Sequence, residues 1–336
     1  MFDLIKLNLG WFNNTNVTTD SSQGNDLSPE MKTYYSDYLI DLAEPELVHD
    51  QFGQKKPIPK NGGKTIEFRK YSPLPKALTP LTEGVTPNGQ NLDVSTITAT
   101  AYQYGGYIEM SDVLLLTAID NNLVQATQLI ASQAGRTLDT VTREVLCAGT
   151  NVIYAGGTHT SRAALVGGQA SGNDYLSVDD VKKAVRALKK MNTPKYNGYY
   201  WGIINQDVAY DLMNSPKWLD PHQYQDTANI YYGEIGQIYG VRFVETSEAK
   251  IFAEAGASSR DVYATLIGGA NAYGVTEITG GGLQHIVKPL GSAGSADPLN
   301  QRATVGWKAM KAAEILVDEY MVRIESTSTF SDGEAN

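Results

Sequence analysis

Between residues 120 and 147 the apolar positions recur at steps of three, four and seven: Leu123, Ile130, Ala134, Leu138, Val141 and Val145. That spacing lines them along one face of an α-helix. Asp120 stands where an N-cap is expected, Asp139 and Arg143 are spaced as an i,i+4 ion pair, and Gly149 follows as a stop. At 1.5 Å per residue the helix reaches about 40 Å, where an ordinary helix has about a dozen residues. It reads as a strut to which the rest of the chain attaches. Gly135 in its interior costs about 1 kcal/mol of helix propensity, which predicts a close neighbour there.

Upstream, residues 9–26 are dense in Asn, Thr and Ser and read as an arm with little to bury. Ser28-Pro29-Glu30 then supplies an N-cap, a proline at the first helical position and an acid in the first turn. The predicted helix carries Met31, Tyr34, Tyr35, Tyr38, Leu39 and Leu42 on one face and ends at Pro45. From Lys64 to Tyr71 the pattern alternates, with Ile66 and Phe68 on one side, and Asp93 to Met110 carries a second, longer strand. Pro73, Pro75, Pro80 and Pro87 in the segment between them forbid a helix or central strand. A hairpin with an excursion of about twenty residues is marginal in water on its own, so a second copy of the chain is expected to cover it.

Downstream of the strut the Gly- and Ala-rich residues 155–175 form a candidate boundary. Ser177 to Asp180 matches a capping box, with Asp in place of Glu or Gln. The helix it opens turns Val181, Ala184, Val185, Leu188 and Met191 inward, and Lys182, Lys183, Arg186, Lys189 and Lys190 outward to solvent. Gly198 to Asn205 reads as a buried strand and Gln206 to Met213 as a short helix capped by Asn205. Val241–Thr246, Asp261–Ile267, Ala272–Ile278 and Leu283–Val287 are further strands. Residues 291–300 have linker chemistry, and Thr304 to Glu325 supplies the closing strands. Strands and helices interleave without a regular βα repeat, which makes the fold class α+β.

Composition changes this picture in four ways. The 336 residues, 42% hydrophobic, can bury a substantial core. Twenty tyrosines beside seven phenylalanines suit amphipathic interfaces. A single cysteine, Cys147, excludes an intrachain disulfide and a cysteine-cluster metal site. The net charge of −10 argues against a protein that coats nucleic acid, so contact with DNA is expected to be weak and non-specific. No segment approaches the apolar length of a membrane span and the N-terminus lacks a secretory pattern, so a soluble protein without membrane partners is expected.

Catalytic motifs are missing: the sequence holds no HExxH, GxSxG, GxxxxGK[ST] or GxGxxG unit. Cys147 and His159 are close in sequence, but a cysteine closing an apolar helix is usually a small hydrophobe. His49, His159, His222 and His285 are scattered singly, and the glycines 280–282 read as a turn. No enzyme, no cofactor and no metal site are therefore expected.

The order of these elements resembles the major capsid proteins of tailed bacteriophages, and more narrowly the coliphage N-four-like family. The resemblance spans about residues 27–328 and is carried by residues 28–47, by GEIGQIYGVRFVET at 233–246 and by WKAMKAAEILVDEYMVRIES at 307–326. It implies the HK-ninety-seven-type fold, with an N-terminal arm at 1–57 and an extended loop at 58–107. The peripheral domain would take 108–176 and 300–330, with the strut as its spine helix, and the axial domain 177–299. It further implies a virion protein, assembled in the host bacterial cytoplasm into hexamers and pentamers of an icosahedral head around packaged double-stranded DNA. A portal protein is a partner on this reading, with scaffold and decoration proteins as further candidates. Arg69, Lys76, Pro80, Glu83 and Gly84 of the loop are the expected contacts between subunits. The alternative with the same fold is an encapsulin-like cellular shell around an enzyme cargo.

Overall fold

A computed structural model describes residues 47–71, 74–86, 88–117, 122–169, 172–215, 217–218, 234–276, 281–292 and 297–333. The expected arm and tyrosine-faced helix before residue 47, and the Asp120 cap, lie outside them. In chain order the strands are β1 (Gln54–Lys55), β2 (Thr65–Tyr71), β3 (Val94–Thr100), β4 (Tyr102–Ser111) and β5 (Val152–Tyr154), then β6 (Tyr200–Ile204), β7 (Glu234–Ile238), β8 (Val241–Glu245) and β9 (Ile251–Phe252). They continue with β10 (Val262–Gly268), β11 (Tyr273–Thr276), β12 (Gln284–Lys288), β13 (Arg302–Ile315) and β14 (Met321–Ser326). The α-helices are α1 (Asp112–Thr117), α2 (Asn122–Cys147), α3 (Val178–Lys190) and α4 (Gln206–Met213). The expected α+β class is what forms.

Two compact units divide the described chain. The larger takes residues 45–104, 135–282 and 309–336. Its main sheet runs β5-β14-β10-β6-β8-β7, with β9 on β10. Alternation along β6 explains why this sheet is buried on both faces. Tyr200 and Ile204 join Val181, Val185 and Leu188 of α3 and Val208 and Leu212 of α4, while Trp201 and Ile203 join Leu146, Phe52 and Tyr273 on the other side. Helix α3 has the capping box read from sequence: Ser177 accepts from the Asp180 amide and the Asp180 carboxylate accepts in return from Ser177. Met191, expected to face inward, is the C-cap and is 48% exposed, because the helix has ended and its side chain leaves the apolar face.

The hairpin of β2 and β3 belongs to the same unit, paired from Thr65↔Thr100 to Tyr71↔Val94. The expectation of one long strand over residues 93–110 is corrected. Ala101, 2% exposed, donates its amide to the Lys64 carbonyl, and the strand breaks there: β3 stays with β2, while β4 pairs β13. Phe68 holds the hairpin's base, packed with Ile58, Ala99, Ala312 and Leu316, and it lies where a Cβ on Gly274 would come within 2.8 Å of its ring. The glycine-rich passage at 155–175 is tightly packed. Leu165 is fully buried, Asp174 accepts from the Val166 amide, and Arg162 makes two hydrogen bonds to the buried Glu325 carboxylate.

The smaller unit contains, among described residues, 105–117, 122–134, 283–292 and 297–308. Here β12 pairs β13 from Gln284↔Lys308 to Lys288↔Thr304. One face of this small sheet turns Ala303, Val305 and Trp307 inward, and the Trp307 indole donates to Gln133 of α2 at 3.2 Å.

Candidate assembly surface

The finger above the β2–β3 hairpin is where the site residues read from sequence lie. Arg69 is exposed on β2, and Lys76, Pro80, Glu83 and Gly84 are all exposed on the excursion. Glu83 and Gly84 form the middle of a tight turn closed by the Val85 amide on the Thr82 carbonyl. Gly84 has φ +77°, which glycine adopts without a steric penalty. The structure thus places Glu83 and Gly84 in this turn, with Pro80 just before it and Lys76 further down the excursion, and leaves Arg69 on the stem. A hydrogen bond from the Gln90 side chain to the Pro75 carbonyl, at 3.5 Å, links the two arms.

What sequence reasoning did not single out is the apolar load of this finger. Leu78 is 82% exposed and Leu81 77%, and Leu74, Val85 and Leu92 are each at least half exposed. Such a row of uncovered aliphatic side chains marks a surface that awaits a partner. The alternation of prolines with Leu and Val was the available signal.

A second feature ties the start of the described chain to the spine helix. Asp139 of α2 accepts from the His49 amide at 2.8 Å and faces the His49 ring nitrogen Nδ1 at 2.6 Å. Asp50 accepts from Thr142 at 2.6 Å and pairs with the Lys311 ammonium, which also donates to the Leu138 carbonyl at 2.9 Å. Tyr273 closes the cluster on the His49 carbonyl, and burial drives its phenol well above the ordinary range. Every member is mostly or wholly buried, so the cluster is a polar latch inside the larger unit. The expected Asp139–Arg143 pairing gives way to this role for Asp139, while Arg143 reaches Glu144 and the Glu248 carbonyl.

The candidate chemistry has other uses in the structure. Burial pushes the Cys147 thiol up to about 11, which makes it a poor nucleophile. His159 faces Asp174 at 2.9 Å. Among the described residues no group of His, Cys, Asp and Glu could hold a metal ion, and no helix is long and apolar enough to cross a membrane.

A hairpin finger followed by a long spine helix, together with two larger β-sheets, makes up the HK-ninety-seven-type capsid fold. Solved structures bear this out. The capsid protein of Ralstonia phage GP4 is similar with a TM-score of 0.67 at 16% identity, over 85% of this chain and 89% of that one. The capsid of cyanophage Pam1 gives 0.62 at 13%, over 82% and 88%, and that of Helicobacter pylori bacteriophage KHP30 gives 0.60 at 10%, over 83% and 88%. No curated protein matches by sequence. The model of the phage capsid protein family matches residues 94–323, and the chain belongs to that family. It is a major capsid protein of the tailed-phage kind, a structural component of the virion that self-assembles into its shell.

Proposed function

We propose that the shell is built by the finger: the excursion of each subunit lies on its neighbour's peripheral domain, and these head-to-tail contacts close into the hexamers and pentamers of an icosahedral head around packaged double-stranded DNA. The observation that carries this reading is the row of exposed Leu74, Leu78, Leu81, Val85 and Leu92 on a two-stranded stem. Burying one leucine contributes about 1.5–3 kcal/mol, so the row supplies a strong driving force for association. Heterologous contacts of this sort form rings without a two-fold axis. Arg69, Lys76, Pro80, Glu83 and Gly84 are the contacts on the finger side.

On this reading residues 1–57 act as the arm, 58–107 as the extended loop, 108–176 and 300–330 as the peripheral domain and 177–299 as the axial domain. The protein has no enzymatic role, and the narrower kinship with coliphage N-four-like capsids rests on residues 233–246 and 307–326. Assembly takes place in the host bacterial cytoplasm, with a portal protein at one vertex and scaffold or decoration proteins as further partners. The net charge of −10 keeps the grip on the genome weak. Deleting Pro80 to Gln90 tests the reading: a folded, soluble subunit that forms no particles under the electron microscope is expected, and normal shells overturn it.

A further inference from the structure

Among the described residues, the outer face of the smaller unit's sheet is uncovered and carries a trough of about 520 Å³. Ile286 of β12 stands opposite Gly306 of β13, and beyond Gly306 lies Tyr107 of β4, 73% exposed. A Cβ on Gly306 would sit 2.9 Å from Tyr107, so the missing side chain is what opens the floor. The walls are therefore an isoleucine and a tyrosine about a glycine floor, a shape that takes a pair of aliphatic side chains. Charge is the second character of this face. Lys288 and Arg302 line the trough and Lys308 shares the strand face, against one carboxylate, Glu109, which pairs with Arg302 at 3.3 Å. A locally positive face runs against the trend of a chain with net charge −10.

We propose that this trough receives the finger turn of a second copy, with Leu81 and Val85 between Tyr107 and Ile286 and Glu83 against Lys288. The assignment rests on the finger-docking reading above and extends its acceptor from β13 of the peripheral domain to β4 and β12, which pair with it. The turn supplies what the trough lacks: two exposed aliphatic side chains four residues apart in sequence, with a single carboxylate between them and no cation within it. Interfaces use such charge complementarity to fix register and reject wrong pairings.

Charge reversal in the full-length chain is the test. Glu83→Lys and Lys288→Glu alone should each lower particle yield about tenfold, and the double variant should restore it to within about twofold. Particles of a Glu83→Cys/Lys288→Cys variant should give disulfide-linked multimers on oxidation, a readout that does not need either reversal to fold. Normal assembly of Lys288→Glu overturns the trough as acceptor, as does a double variant that is not rescued or a cysteine pair that never links. If Lys288→Glu shells form normally and only retain less DNA, the face is a phosphate contact and the proposal fails. In all of these cases the finger deletion still decides the broader reading on its own: shells without the finger sink that reading, whereas no shells without it, beside an indifferent trough, sink only the assignment made here.

Discussion

The Lys311 ammonium is bonded to the Asp50 carboxylate across 261 residues of sequence, with the lysine side chain only 2% exposed. A buried charge that loses its partner is left without water or counterion. Asp50→Ala or Lys311→Ala should therefore destabilise the subunit by about 3–5 kcal/mol. Replacing both at once by Leu and Met should cost far less, since no orphan charge remains. Urea unfolding of the single and double variants measures the difference; equal losses in all three would show that the pair is not coupled.

Asp261 clamps the C-terminal tail. Burial pushes its carboxyl up, but hydrogen bonds from the amides of Glu254 and Gly333 and from the Ser331 hydroxyl outweigh that and hold it below the ordinary range. A carboxyl that titrates lower in the native state than its unfolded value near 3.9 gives stability that is complete above that value. The stability is lost as pH falls through the lower native value. The protection of the Gly333 amide, taken as its exchange rate relative to the intrinsic rate at each pH, should fall below about pH 4, and Asp261→Asn should remove it already at neutral pH with little further loss in acid.

Gly268 at the end of β10 lies beneath the indole of Trp201, where a Cβ would come within 2.3 Å of the ring. The indole cannot retreat: it is fully buried, stacks on Phe52 at 5.4 Å and donates to the Gly269 carbonyl at 2.9 Å. Gly268→Ala should overpack this core and cost about 1–3 kcal/mol, with a shift in tryptophan emission as the ring is displaced. An unchanged melting temperature and spectrum would contradict the packing described.

Local signals carried the elements furthest. Helix α2 ends at Cys147 as its periodicity requires, Gln206–Met213 and its Asn205 cap agree residue for residue, and the capping box at Ser177 survives the change from Glu to Asp. Long-range partners were invisible by the same logic. Nothing near Asp139 announces that it turns inward, because its partner His49 is 90 residues away. In the second half of α2, Thr142 and Arg143 are buried while Val141 and Val145 are only partly so, the reverse of what apolar spacing implies. Strand β7 escaped notice because its glycine, Gly236, and its bulge disguise the alternation. The finger could be read from its prolines, but the trough is assembled from β4, β12 and β13, and no stretch of sequence contains it.

The break at Ala101 has a mechanical side. The finger's return strand continues after a single residue into β4, which is laced to β13, the longest strand described. Tension applied at the fingertip meets first the Ala101–Lys64 tie and then the β4–β13 ladder, whose bonds share the load along their length. If neighbours hold the subunit by its finger, as proposed above, the pull is borne without unravelling.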